Sequence, residues 1–430
     1  MSAPQPRKPL RKLFSWLFLS FIIIAFSQFL VSIFLVKFCA PELVGRFALA
    51  NAITLPIFAF SSLDLGSLQV TDANNHYEFE DYLNLRLVTS GLALLLSMII
   101  PIFVGYSWDM LIIIWLFAVG KTLDSVSSIM YGLIQKSEQM KTLAWLGSIK
   151  SLIAIALLGV VVYLTGDLIL VLILLILFRI LYLYFYEVPY SLATINSSHS
   201  SEINWSKIFA GKWHLPKLLK LAKLALPMGI VTLLISFNAN VPRYLIEKYT
   251  GEASLGIFAV IASLMMIGDT VLNPLGASTI PRMSQYYAEG NFKQFWQVLC
   301  KLIAIAFILG AIIVTACFLF GQPFLEIIYR KEYGQYTQLL ILLMLAGAID
   351  DISSFIGQAI TATRSFRIKM AVSATVVTIS SLIALWLIPS QGLRGAAIAL
   401  LIGATIDVGL NSAALIYIMF KNSTPKFLST

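Results

Sequence analysis

The sequence predicts an all-α integral membrane protein of about twelve transmembrane helices, arranged as two six-helix bundles. Three observations carry that prediction. Of its 430 residues 59% are hydrophobic and only 12% are charged, whereas a soluble domain is about 25% charged. Polar residues sit in short clusters between apolar runs of roughly 20 residues, the length that crosses hydrocarbon. Proline and glycine fall inside several runs, and the alternating pattern of outer-membrane strands is absent, which excludes a barrel.

The first span, 13–36, follows a basic segment holding Arg7, Lys8, Arg11 and Lys12, and is too long for the apolar region of a signal peptide. The next five are 43–66, 83–104, 110–134, 143–165 and 168–190. The second set is 219–244, 254–277, 298–320, 336–362, 368–388 and 394–419. Trp16, Trp108, Trp145, Trp296 and Trp386 fall at span ends, where indole prefers the headgroup region.

An even number of spans places both termini on one side, and the charges name the side. Seven of the 30 Lys and Arg fall at expected outer positions: Lys37, Arg46, Arg243, Lys248, Arg330, Lys331 and Arg394. Lys121, Lys150 and Arg179 lie within spans, and the remaining 20 lie inside, so both termini are expected in the cytoplasm. The net charge of +9 thus records loop placement and gives no reason to expect nucleic acid.

A polar connection, 191–217, separates an amino-terminal lobe, 1–190, from a carboxy-terminal lobe, 218–430. Six spans in each give the lobes one orientation, a parallel repeat. Val44-Gly45-Arg46-Phe47-Ala48 opens span two, and Leu255-Gly256-Ile257-Phe258-Ala259 opens span eight. Pro56 and Pro274 are expected to interrupt these two counterparts, and Pro227 and Pro242 to bend span seven.

Catalysis is not expected. No outer loop is long, and His76, His199 and His214 lie in expected cytoplasmic loops. Cys39, Cys300 and Cys317 are scattered, and no Gly-rich phosphate loop precedes Lys and Ser or Thr. Neither metal nor cofactor is implied.

Ionisable groups inside spans are the functional candidates, because an intramembrane charge is costly and tends to face a cavity or a partner. Lys121, Lys150 and Arg179 concentrate in the first lobe as anion ligands. Arg179, Tyr182, Tyr186 and Tyr190 recur at helical spacing, one guanidinium for phosphate and three rings for sugar. A tyrosine belt at the inner interface is the other reading of those rings. Lys121 also stands three residues before Asp124 and can pair with it.

The second lobe carries acids: Asp350, Asp351, Asp407 and Asp269, which with Asp124 are the candidates for coupling to H+ or Na+. Asp269 with Asn273, and Asp407 with Asn411, present two oxygens on one helix face. Salt bridging of Lys121 or Arg179 to Asp350 or Asp407 is the competing expectation.

Leu224-Ala225-Leu226-Pro227-Met228-Gly229, Asn238-Ala239-Asn240-Val241-Pro242-Arg243-Tyr244, Gly256-Ile257-Phe258 and Pro281-Arg282-Met283 form one motif-bearing stretch. Gly45-Arg46-Phe47-Ala48-Leu49-Ala50-Asn51-Ala52-Ile53-Thr54-Leu55-Pro56-Ile57-Phe58 joins it. Together they resemble the polysaccharide flippases of the multidrug/oligosaccharidyl-lipid/polysaccharide exporter superfamily, in particular bacterial Wzx-type translocases. The resemblance implies two bundles around a central cavity that opens alternately to either side. It implies a lipid-pyrophosphate-linked oligosaccharide as cargo, carried across the bacterial cytoplasmic membrane for surface polysaccharide such as lipopolysaccharide O-antigen. It also implies polymerase or assembly proteins as partners. Arg46, Arg243 and Asn240 are then expected near the outer mouth, with Lys121, Lys150 and Arg179 on the phosphates. Asp64, in Ser-Leu-Asp-Leu-Gly, departs from the uncharged residue that relatives often carry there. The alternatives are an ion-coupled multidrug exporter and a nontransporting subunit of a polysaccharide assembly complex.

Overall fold

The computed structural model describes residues 10–72, 76–137, 139–198, 214–363 and 365–423, which form helices with no strand among them. In chain order these are α1 (Leu10–Phe38), α2 (Pro41–Ser62), α3 (Leu65–Thr71), α4 (Phe79–Val104), α5 (Trp108–Lys136), α6 (Met140–Thr165) and α7 (Leu168–Tyr182). A π-helical turn, Leu183–Glu187, joins α7 to α8 (Val188–Ser198). The chain continues with α9 (Leu215–Thr250), α10 (Glu252–Ser263), α11 (Met266–Ala288) and α12 (Phe292–Ile328). A 3-10 turn, Lys331–Tyr336, then leads to α13 (Thr337–Ala362) and α14 (Phe366–Ser423).

Ten stretches among the described residues are helical, long and apolar enough to cross a membrane. The longest, within α14, has 55 residues, about 80 Å of helix against roughly 30 Å of hydrocarbon. Its backbone breaks at Gly392, with φ 54° and ψ −130°, so α14 supplies two spans. α10 and α11 together make another, and each of the twelve expected spans has its helix. Phe103, Leu164, Phe318, Phe320, Ile327 and Trp386 are among many large apolar side chains on the outer surface, an arrangement suited to lipid and not to water.

Local chemistry starts several helices. Asp167 accepts the backbone N–H groups of Ile169 and Leu170 at 2.8 and 3.3 Å to cap α7. The Asp81 carboxylate takes the Glu78 N–H at 2.9 Å in the capping box of α4.

The interruptions fall away from the prolines expected to cause them. Pro56 lies inside the continuous α2, and Pro227 and Pro242 inside the continuous α9. The break after α2 is at Leu63 and Asp64, both left-handed at φ 48° and 47°. Ser62 Oγ bonds the Ala59 carbonyl at 2.7 Å and accepts the Asp64 N–H at 3.2 Å, turning the chain out of the helix. Aspartate tolerates this backbone; leucine does not, and Leu63 is held there by burial. In the eighth span the break is at Leu264 and Met265, well before Pro274.

Two compact units divide the chain. Unit 1 is Met1–Cys39 with Ala50–Ser236, and unit 2 is Ala40–Leu49 with Phe237–Thr430. The division therefore does not fall in the 191–217 connection. Two helices, α2 and α9, each run from one unit into the other, so packing and chain order part company there. The connection itself is helical through Ser198, and its residues 199–213 lie outside the described ones. Unit 1 packs a core around Leu65, Tyr82, Leu83, Ile129, Met130 and Leu221; unit 2 packs one around Phe295, Leu299, Phe355 and Leu415.

Candidate functional site

In unit 1, Lys121, Asp124, Ser127 and Tyr131 follow one another along α5 at steps of three or four, so one face carries all four. α6 supplies Lys150, α7 supplies Arg179, and the π turn supplies Glu187. Pro189 follows that turn, and its ring would clash with the carbonyl four residues back in a regular helix; one wider turn relieves this.

Asp124 is the centre of the cluster. Arg179 Nη1 lies 3.3 Å from one carboxylate oxygen and Lys150 Nζ 3.5 Å from the other. Lys150 also reaches Glu187 Oε1 at 2.9 Å and donates to Ser127 Oγ at 3.0 Å. Glu187 is 0% exposed; it accepts the Tyr131 hydroxyl at 2.6 Å and the Ser127 hydroxyl. Gly120 makes room for Arg179, because a Cβ there would overlap the guanidinium. Lys121 lies in the field of both Asp124 and Arg179, yet no described residue forms an ion pair or hydrogen bond with its ammonium. Three cations against two carboxylates leave one positive charge in excess, within the membrane-spanning part of unit 1.

The expected cationic trio is thus brought together, but not as three free ligands. Lys121 and Asp124 do not form the anticipated i, i+3 pair, since Asp124 is taken by residues of two other helices. Glu187, Ser127 and Tyr131 were not anticipated. The Ser127–Tyr131 spacing and an acid inside the sixth span were the readable signals. Tyr182 is buried and donates its hydroxyl to the Leu146 carbonyl at 2.8 Å, while Tyr186 stacks on it at 5.1 Å and faces outward, as Tyr190 does. Neither Tyr186 nor Tyr190 bonds Arg179 among the described contacts.

Unit 2 holds the other candidates. Arg46 pairs with Glu252 at 2.8 Å, and Arg243 Nη1 donates to Asn240 Oδ1 at 2.7 Å, with Asn240 buried. Asp407 accepts Ser353 Oγ at 2.6 Å and Asn411 Nδ2 at 2.8 Å. Asn411 also donates to Ser353 Oγ at 3.1 Å, so Asp407 and Asn411 face each other and do not present two free oxygens. Asp350 lies on the exposed side of α13. Asp351 packs against Gly268 and lines an apolar cavity of about 250 Å³ with Met265, Cys317, Phe320 and Met344. The side chains of Asp269 and Asn273 lie outside the described residues. The described ion pairs of unit 1 are internal to it, as the Arg46 pair is to unit 2.

Comparison with known proteins identifies the family and the fold. Residues 10–287 match the family described as "Polysaccharide biosynthesis protein". The capsular polysaccharide biosynthesis protein CapF of Staphylococcus aureus is 26% identical over 391 residues, covering 91% of this chain and 95% of that protein. An inward-facing multidrug resistance MATE transporter of the MOP superfamily superposes with TM-score 0.73 at 14% identity, covering 94% of this chain and 96% of its own. The lipid II flippase MurJ, in an inward closed conformation, superposes with TM-score 0.70 at 14% identity, covering 97% and 93%. The chain belongs to the polysaccharide biosynthesis protein family, and its helices take the fold of MOP-superfamily transporters.

Proposed function

We propose that this protein is a flippase, not an enzyme, that moves a lipid-pyrophosphate-linked oligosaccharide across the bacterial cytoplasmic membrane for surface polysaccharide assembly. The observation that carries the reading is the convergence of Lys121, Lys150 and Arg179 from three helices around Asp124, with a positive charge left over. A pyrophosphate has the charge to displace Asp124 from Arg179, whose fork suits phosphate oxygens. The family match and the CapF likeness support polysaccharide precursors as the cargo class, and the likeness to MATE structures in inward-facing and outward-facing conformations supports alternating access. The loop charges support cytoplasmic termini. Asp351 and Asp407 are the proposed coupling groups for H+ or Na+, and polymerase or other assembly proteins the proposed partners.

A second reading has its own observation. The apolar cavity beside Asp351 suits an organic cation, which an ion-coupled drug exporter would carry.

The test is flipping of a fluorescent lipid-pyrophosphate oligosaccharide in proteoliposomes under imposed proton or sodium gradients. Wild type should flip it, Arg179→Ala and Lys121→Ala should lose at least tenfold in rate while remaining folded, and the accelerating gradient names the ion. Movement of an organic cation with no flipping would replace this reading with the exporter.

A further inference from the structure

The break after α2 lies beside a buried arginine that the cluster above does not use. Arg86, in the second turn of α4, is 3% exposed, and no described residue forms an ion pair with it. Its Nε is enclosed without an acceptor. Asp64, on the break, is the carboxylate that acts on it, but lies beyond ion-pair distance and accepts Ser67 Oγ at 2.8 Å. One turn along the same face, Ser90 Oγ is also buried and unbonded. Gln69 of α3, 1% exposed, has neither its amide nitrogen nor its oxygen satisfied.

Buried polar groups are nearly always hydrogen-bonded, and a buried cation without a counter-ion costs several kcal/mol. Here a guanidinium with no ion pair to any described residue and a hydroxyl one turn along α4 are left without partners, and an amide on α3 is left so as well. We propose that Arg86 is the anchor of a second anion site, at the break between α2 and α3, which takes a phosphate ester or pyrophosphate. Arg86 supplies the planar fork that grips two phosphate oxygens. Ser90, one turn along α4, supplies a hydroxyl that a phosphate can engage, and Gln69 an amide from the short helix beyond the break. The anion replaces Asp64 as the counter-charge of Arg86. By the loop charges the start of α4 is cytoplasmic, and Arg86 lies about 10 Å along it, so this site meets an anion entering from that side. The inference rests on the transport reading only for its cargo.

The experiment uses the full chain in detergent micelles, titrated calorimetrically with inorganic pyrophosphate and separately with a polyprenyl pyrophosphate, alongside thermal unfolding without either. Wild type should bind at least one of them. Arg86→Gln should weaken that binding tenfold or more, and Arg86→Lys and Ser90→Ala severalfold. Binding of both probes marks recognition of the free anion; Arg86-dependent binding of the polyprenyl form alone marks a lipid headgroup. Arg86→Gln should also raise the melting temperature without anion, because it removes a buried charge that Asp64 offsets only from beyond ion-pair distance. Binding unchanged in Arg86→Gln, no binding by wild type, or a variant that unfolds below the wild type would overturn the site. Arg86-dependent pyrophosphate binding without flipping in proteoliposomes would refute the transport reading and leave this one standing.

Discussion

Glu187 shows what one side chain has to satisfy in hydrocarbon. Fully enclosed, it is held by Lys150, Ser127 and Tyr131, so the charge is compensated on both carboxylate oxygens. Removing one partner of such a pair is more damaging than never having had it, because the other charge stays buried. Glu187→Ala is expected to destabilise the chain by about 3–5 kcal/mol, read as a fall in melting temperature. Glu187→Gln with Lys150→Met should recover most of the loss. Equal stability of the single and double variants would mean that the pair is not the relevant unit. Lys121 differs in having no described partner, and Lys121→Met is expected to leave stability nearly unchanged while slowing transport.

Among elements, the repeated segments Val44–Ala48 and Leu255–Ala259 meet in unit 2. A Cβ on Gly45 would overlap the Glu252 carbonyl, and one on Gly256 would overlap the Pro41 carbonyl. The starts of α2 and α10 thus cross backbone to backbone, with the Arg46–Glu252 pair beside the crossing. Backbone cannot swing aside as a side-chain tip can, so Gly45→Ala and Gly256→Ala should each destabilise by about 1–3 kcal/mol. Gly120→Ala meets only the end of Arg179 and should fold normally.

After α3 the chain is tied by Asp72. Burial raises its carboxyl, but the N–H groups of His76 and Tyr77, the His76 ring and the Tyr82 hydroxyl outweigh that and hold it below its usual 3.8. A depressed carboxylate stabilises the fold above its unfolded value and loses that contribution as pH falls through the folded one. Asp72→Asn is therefore expected to melt lower at pH 7, and the gap from wild type to close as pH drops below 3.8.

At the scale of the molecule, unit 2 is incomplete without Ala40–Leu49. A fragment of residues 214–430 produced alone lacks the segment on which Gly256 packs. It should be recovered folded only when residues 1–198 are produced with it, as measured by co-purification.

Class and span number were legible in the sequence, because hydrophobic length and loop charge are local properties that the bilayer reads one segment at a time. The glycine repeat was also visible, though not that its two copies touch. The breaks were misplaced: proline marks a lost N–H, but neighbouring helices can keep the helix straight, while Ser62 and Asp64 turned it elsewhere. Lys121, Lys150 and Arg179 were legible as intramembrane charges. Their partners were not, since Asp124, Glu187 and the cations meet across helices brought together only by packing. For the same reason Arg86 read as one more basic residue near a span end, and only its burial with no ion pair to any described residue, a property of the surrounding helices, sets it apart.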